Sequence, residues 1–335
     1  MFINTELKYM ATFYNQDLPQ SNKETWYNEL DDNVNRYIPS FKVNSGINFE
    51  RYFSAFGGQY KQTLVPQIQY LYVPYKNQDN IGIYDSTKMQ LDYYGLFRDN
   101  RYSGYDRIAD ANQITVGVSS SFLNPQGEQK MRFAIGQNYY FDPSKTRLPE
   151  EKSSSKTANR SSIIGEFDIN FDDQYFFHSG VVWNADDNII DKANATFEKR
   201  WLYDTYAQLN YRYIAKPKND DRFDEVAGIV KQLGSKVNWA INSQWSTFAS
   251  YYYDFEYNHI FEQIVGIKYQ SCCWAFGITY DNHMLPYYGS LDTIGEDYET
   301  EQTISFTFEL MGLGGAGDSD TSDGLFNYGR PFYLQ

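Results

Sequence analysis

The 335-residue chain holds only two cysteines, Cys272 and Cys273, and they are neighbours. Adjacent thiols join each other only through a strained ring, so an ordinary disulfide needs partners that this sequence does not contain. A second group with chemistry is the Arg- and Asp-rich run Tyr93–Gln113, which carries Arg98, Asp99, Arg101, Asp106 and Arg107 among several tyrosines. Arginine grips phosphate or carboxylate with two parallel donors, so these residues are candidate contacts for an anionic glycolipid. From the residues alone the plainer reading is preferred, a loop held by its own Arg–Asp pairs. Catalysis finds no support. His178, His259 and His283 lie on separate runs with no nucleophile pattern, and neither a phosphate loop nor a metal-ligand spacing is present. Asp172-Asp173 and Asp186-Asp187 read as solvated turn residues before they read as a calcium site. The expectation is a protein that is not an enzyme and carries no cofactor and no metal.

The elements that must position these residues alternate with a period of two. Gln302, Ile304, Phe306, Phe308 and Leu310 interleave with Thr303, Ser305, Thr307 and Glu309, giving one apolar and one polar face. Runs of this kind fall near 2–14, 40–52, 60–73, 112–122, 129–141, 161–171, 175–183, 189–200, 205–216, 226–241, 245–257, 260–269, 274–281 and 301–311, roughly fourteen strands. At the cysteines the parity switches. Val265, Ile267 and Tyr269 form the apolar set before them, and Trp274, Phe276, Ile278 and Tyr280 the set after, which predicts a tight turn at 270–273.

Connections alternate between long polar segments, at 15–39, 74–111, 142–160, 217–225 and 282–300, and short turns, near 53–59, 123–128, 172–174, 201–204, 242–244 and 270–273. That is the two-sided pattern of an outer-membrane barrel, with short periplasmic turns and long external loops. Two external connections, near 184–188 and 257–259, are short and weaken the pattern. Aromatics gather beside the polar ends, as in Tyr139-Tyr140-Phe141 and Trp201-Leu202-Tyr203, where an interfacial girdle would stand. Pro66 and Pro74 read as strand ends. The cysteine turn then belongs to the oxidising periplasmic side, where two thiols could bond to cysteines of a segment outside this chain or stand as small, inert residues; the first reading is preferred.

Composition agrees with strands that cross a bilayer one residue in two. Tyr 32, Phe 24 and Trp 6 make 19% of the chain, yet mean hydropathy is -0.63, so the rings are spread through a polar sequence. A net charge of -14 argues against nucleic acid. The competing soluble reading is a β-sandwich or propeller with an aromatic core. Met1-Phe2-Ile3-Asn4 does not resemble a signal peptide and already lies in a strand-like pattern, so the chain reads either as cytoplasmic or as the later part of a longer precursor, and the rest of the reading favours the second.

The chain resembles the C-terminal barrel region of the LPS-assembly protein LptD family. The likeness rests on Tyr-Gln-Ser-Cys-Cys-Trp at 269–274, on Asp92-Tyr-Tyr-Gly-Leu-Phe-Arg-Asp99 with Asp106-Arg-Ile-Ala-Asp-Ala-Asn-Gln113, and on Leu209-Asn-Tyr-Arg-Tyr213. The resemblance implies an all-β, antiparallel transmembrane β-barrel of the outer-membrane type, of which residues 1–311 supply the C-terminal part and 312–335 a Gly-rich periplasmic tail. It implies a part of the translocon that inserts lipopolysaccharide into the outer leaflet of the cell outer membrane, with lateral opening of the barrel. Implied partners are lipopolysaccharide, the plug lipoprotein LptE and the periplasmic lipopolysaccharide-transport bridge, reached through an N-terminal domain absent here. Cys272 and Cys273 would be disulfide-bonded to that domain, and Thr303–Leu310 would be the closing strand and assembly signal. A porin or solute-binding barrel is the alternative function.

Overall fold

The computed structural model describes residues 1–16, 30–55, 57–148, 159–202, 205–215, 230–256, 258–284, 300–310 and 314–316. Its strands are β1 Phe2–Asn15, β2 Asn33–Gly46, β3 Phe49–Ala55, β4 Gly58–Val73, β5 Ala111–Leu123, β6 Gln129–Tyr140, β7 Ile163–Phe171, β8 Tyr175–Asn184, β9 Ile189–Leu202, β10 Thr205–Ile214, β11 Val230–Ala240, β12 Trp245–Asp254, β13 His259–Gln270, β14 Trp274–Met284, β15 Thr300–Leu310 and β16 Gly314–Ala316. Among the described residues no helix is long and apolar enough to cross a membrane.

Two compact units divide the chain, the first comprising Met1–Ile169 with Ser179–Ala193, the second Asn170–His178 with the described residues from Asn194 onward. In the first, strands pair antiparallel in the order β1-β2-β4-β5-β6-β7, with β3 on β4 beyond the end of β2. In the second the order is β10-β11-β12-β13-β14-β15-β16, again antiparallel.

The two faces of these strands are inverted relative to a soluble sheet. On β15, Ile304 and Phe306 are 64% and 62% exposed. In the first unit Leu7, Tyr9, Phe13, Ile68 and Ile135 are exposed while Arg36, Ser40, Gln69, Thr115 and Arg132 are buried on the opposite face. Soluble proteins do not leave contiguous apolar walls of this extent in water, whereas a bilayer is the solvent such a wall needs. Aromatic pairs edge the wall at the short-turn end. Trp245–Tyr269, Tyr269–Trp274 and Trp274–Phe308 have centroids 4.9, 5.2 and 6.2 Å apart, and Phe133–Phe167 stack at 4.5 Å. The fold is therefore an antiparallel sheet of the outer-membrane barrel class, and the soluble sandwich is set aside.

Three expectations are corrected. β2 begins at Asn33, so the long connection is 16–32 and not 15–39; Tyr37 and Phe41 point one way while Ile38 is buried on the other, and apolar residues on both faces hide the period. The run 40–52 breaks at Ile47-Asn48 into β2 and β3. Pro66 lies inside β4, paired with Val118, and not at a strand end. Its carbonyl accepts Ile47 N–H at the break, so the N–H that proline lacks would face the same interruption, where no ladder partner waits. The tail 312–335 lies outside the described residues except for β16, whose backbone pairs with Phe308–Leu310.

Candidate functional site

In the first unit the polar face of the sheet is covered by the connection 74–110, and the strands are built to receive it. At its centre is a 3-10 turn, Tyr94–Phe97. Leu96, 0% exposed, sits over Gly136, where a Cβ would come within 2.8 Å of Leu96 Cδ1. The turn's carbonyls are then met from the sheet: Thr115 Oγ1 donates to Leu96 O at 3.1 Å, and Gln69 Nε2 to Phe97 O at 3.2 Å. Arg132 reaches across from β6. It binds Glu166 at 2.9 Å and Asp168 at 3.1 Å and lies 4.7 Å from the Tyr94 ring centre. Glu166 also accepts Tyr93 N–H at 2.8 Å.

The second fastening is centred on Arg36 of β2. Its guanidinium donates to Gln78 Oε1 at 2.8 Å, to Asp106 O at 2.9 Å, to Thr12 Oγ1 at 3.1 Å and to Tyr105 O. Gln78 completes the clamp on Ile108, donating to its carbonyl and accepting from its N–H. Asp106 is 3% exposed. Its carboxylate accepts the N–H groups of Tyr84 and Asp85 at 2.6 and 2.7 Å. Arg107 is as deeply buried, spanning the carbonyls of Asp106 and Ile81; loss of water pulls its pKa down against the opposing charges of Asp79 and Asp106. Gly104 is needed here, because its φ is +63 and a Cβ would stand 2.2 Å from Asp85 Oδ1.

The remaining residues of the run are more open. Arg98 bonds Asp92 at 2.9 Å and Gln90 O at 2.7 Å. Arg101 donates to Tyr102 Oη at 2.7 Å and to Thr146 O. Asp99 receives Lys42 at 2.6 Å and Lys8, and both lysines also hold Glu6. Burial alone would raise the Asp99 carboxyl, but the Lys42 and Lys8 ammonium groups prevail and keep it below the usual carboxylate value. Asp110 behaves alike: burial is outweighed by the Thr146 and Lys145 N–H groups and the Ser144 hydroxyl.

In the second unit the cysteines occupy the turn between β13 and β14, closed by Ser271 N–H on Trp274 O at 2.8 Å. Both are exposed, and their sulfurs are 2.9 Å apart. The shared contact lowers the Cys272 pKa, with Cys273 and Ser271 stabilising its thiolate, and raises that of Cys273.

The family model described as "LPS transport system D" matches residues 1–245. The chain belongs to the LptD family. Relatives described as LPS-assembly protein LptD are 38% identical in Vibrio vulnificus (strain YJ016), covering 98% of this chain and 44% of the relative. They are 36% identical in Shewanella frigidimarina, covering 91% and 40%, and 34% identical in Aeromonas salmonicida, covering 100% and 42%. The chain thus spans less than half the length of these LptD relatives. A mutant of Rh. blastica porin aligns over 84% of the chain at 11% identity with a TM-score of 0.29, too low to bear on the fold. Membership in the LptD family, with the exposed apolar wall, puts the chain in the outer membrane.

The run 93–113 was visible in the LptD sequence, but its counterparts on the strands were not. Arg36, Gln69, Thr115, Arg132, Glu166 and Asp168 are polar residues at inward positions of otherwise apolar runs. The one available signal was a charge at a strand's buried parity, as at Arg132 within Met131–Ile135.

Proposed function

We propose that the chain is the C-terminal barrel part of an outer-membrane translocon that delivers lipopolysaccharide to the outer leaflet, the barrel opening laterally to release it. The observation that carries this reading is the family match over 1–245. The braced connection supports it. A loop fastened along the polar face is a built feature of that face, beside which a plug or substrate would lie in this reading.

In this reading LptE is the plug, and the periplasmic bridge docks on the N-terminal domain to which Cys272 and Cys273 are disulfide-bonded. Arg98, Asp99 and Arg101, the more open residues of the run, are the contacts assigned in this reading to lipopolysaccharide phosphate or the plug. Asp106 and Arg107 act at one remove by holding the loop. The role is transport, with no catalytic step. Residues 312–335 form a tail on the periplasmic side.

The test is complementation. In cells depleted of their resident LptD, the complete protein should restore antibody-detectable lipopolysaccharide on intact cells, and versions lacking 93–107 should not. Restored lipopolysaccharide without that segment would refute the part assigned to the loop, and failure of the complete protein would refute the transport reading.

A further inference from the structure

The apolar wall of the first unit carries one polar strip. Arg51 of β3, Gln62 of β4 and Ser120 of β5 stand on the same outward face, in neighbouring registers. Arg51 Nε donates to Gln62 Oε1 at 2.7 Å, and Gln62 Nε2 donates to Ser120 Oγ at 2.9 Å. Phe53, Phe122, Phe133 and Phe167 follow one another beside the strip with centroids 6.0, 6.3 and 4.5 Å apart. Along β3 and β5, Phe53 and Phe122 are each two residues nearer the short turns than Arg51 and Ser120. Across the ladder Gln62 pairs with Phe122 and Ser120 with Phe133, so the strip lies level with the aromatic girdle, at the edge of the hydrocarbon on the short-turn side.

Polar groups on a lipid-facing wall need partners, because the hydrocarbon beside them offers none. The strip satisfies itself only in part. Among the described residues, the two η nitrogens of exposed Arg51 have no acceptor, and the guanidinium carbon lies 5.7 Å from the Phe53 ring centre. Ser120 Oγ accepts from Gln62 and keeps its own hydrogen to donate.

Ser120 also stands at the rim of a depression of about 430 Å³, lined by Leu64, Val118, Ile135, Gly165, Phe167 and Val181. Gly165 makes the hollow. A Cβ there would meet nothing within 4 Å, so a side chain would fit the fold and is simply missing from the wall. A cation, then a hydroxyl donor, then an apolar trough repeats the order of groups along a glycerophospholipid: phosphate, ester carbonyl, acyl chain.

We propose that this strip binds one glycerophospholipid of the periplasmic leaflet, with its phosphate on the Arg51 guanidinium, an ester carbonyl on the Ser120 hydroxyl and an acyl chain in the depression over Gly165. The choice of leaflet rests on the orientation adopted above, in which the short turns face the periplasm. Charge complementarity selects the head group, since a guanidinium pairs with phosphate by two parallel hydrogen bonds. The depression falls within the range of volumes of small-molecule sites.

The experiment uses the complete protein in nanodiscs containing phosphatidylglycerol with a diazirine in its acyl chain, and maps the labelled peptides after irradiation. Label should concentrate on the β5–β7 peptides that line the depression. R51Q, which removes the charge-assisted contact, and G165L, which fills the trough, should each lower that label about tenfold, with heat-modifiable gel migration confirming that both are folded. S120A, which leaves the wall intact, replaces G165L if the latter misfolds. Label spread evenly over the outward strands, label unchanged in every variant, or label obtained only from a photoreactive lipid A probe would overturn the assignment. Transport is not read here, so these outcomes leave the proposed function standing or falling on its own test.

Discussion

Arg36 is 1% exposed and serves five acceptors on β1 and the overlying loop: Gln78, Asp106, Thr12, Tyr14 and Tyr105. Replacing it with Met removes the charged donor shared by these acceptors, leaving Tyr105 O to Tyr14, Asp106 O to Arg107 and Gln78 Oε1 to the Ile108 N–H. The expected cost is about 1.5–3 kcal/mol, spent on the loop's attachment more than on the strands. Limited proteolysis of the folded protein should therefore show faster cleavage within 74–110 and an unchanged strand pattern. Acid probes the same fastening by another route. The Asp99 and Asp110 carboxyls lie below their ordinary value when folded. Their contribution is complete above the unfolded value, about pH 4, and is lost as pH falls through the lower folded value. Proteolysis with an acid-active protease should find the loop as protected at about pH 5 as at neutrality and released only below about pH 4. Of these residues the sequence reveals the loop members, because Arg and Asp stand out in a connection. It does not reveal Arg36, since a single charge inside a run with apolar residues on both faces looks like an interruption of the strand.

Most strands were legible because a bilayer wall and a polar face impose a strict period of two, and that period survives without any knowledge of partners. What failed was local to the first unit. The break at Ile47-Asn48 carries no glycine or proline to announce it, and Pro66, which suggested a strand end, instead marks the place on β4 opposite that break. β15 offers the sharpest test of the inverted faces. Phe306 is exposed to the wall side and stacks on Phe276 at 6.4 Å, while Thr307 lies on the opposite face beside Gly277. Phe306→Arg should cost about 2–4 kcal/mol near the bilayer midplane and impair assembly. Thr307→Arg, on the wet face, should be milder. Folded yield by heat-modifiable electrophoresis decides between them, and equal yields would contradict the membrane-facing assignment of this wall.

At the scale of the whole molecule, the two exposed thiols are the groups best placed to join this chain to the rest of a longer protein. They sit on a short turn, just beyond the aromatic edge formed by Tyr269 and Trp274, and so outside the wall. The two sulfurs are 2.9 Å apart and both residues are exposed, so either thiol is open to exchange with a partner disulfide. Each tether closing a long loop would stabilise the folded state by about 2–4 kcal/mol, and its larger consequence would be to hold the N-terminal domain beneath the barrel. Adjacent thiols would give such a tether redundancy: if one were lost, the other would stand next to it for the same partner segment. Cys272→Ser and Cys273→Ser should therefore each preserve lipopolysaccharide export in the complete protein, and the double substitution should abolish it. Non-reducing electrophoresis after alkylation would show the tether directly, as a shift in mobility that reduction removes. Recovery of both residues as alkylated free thiols from mature, active protein would defeat the tether, because export would then proceed without it.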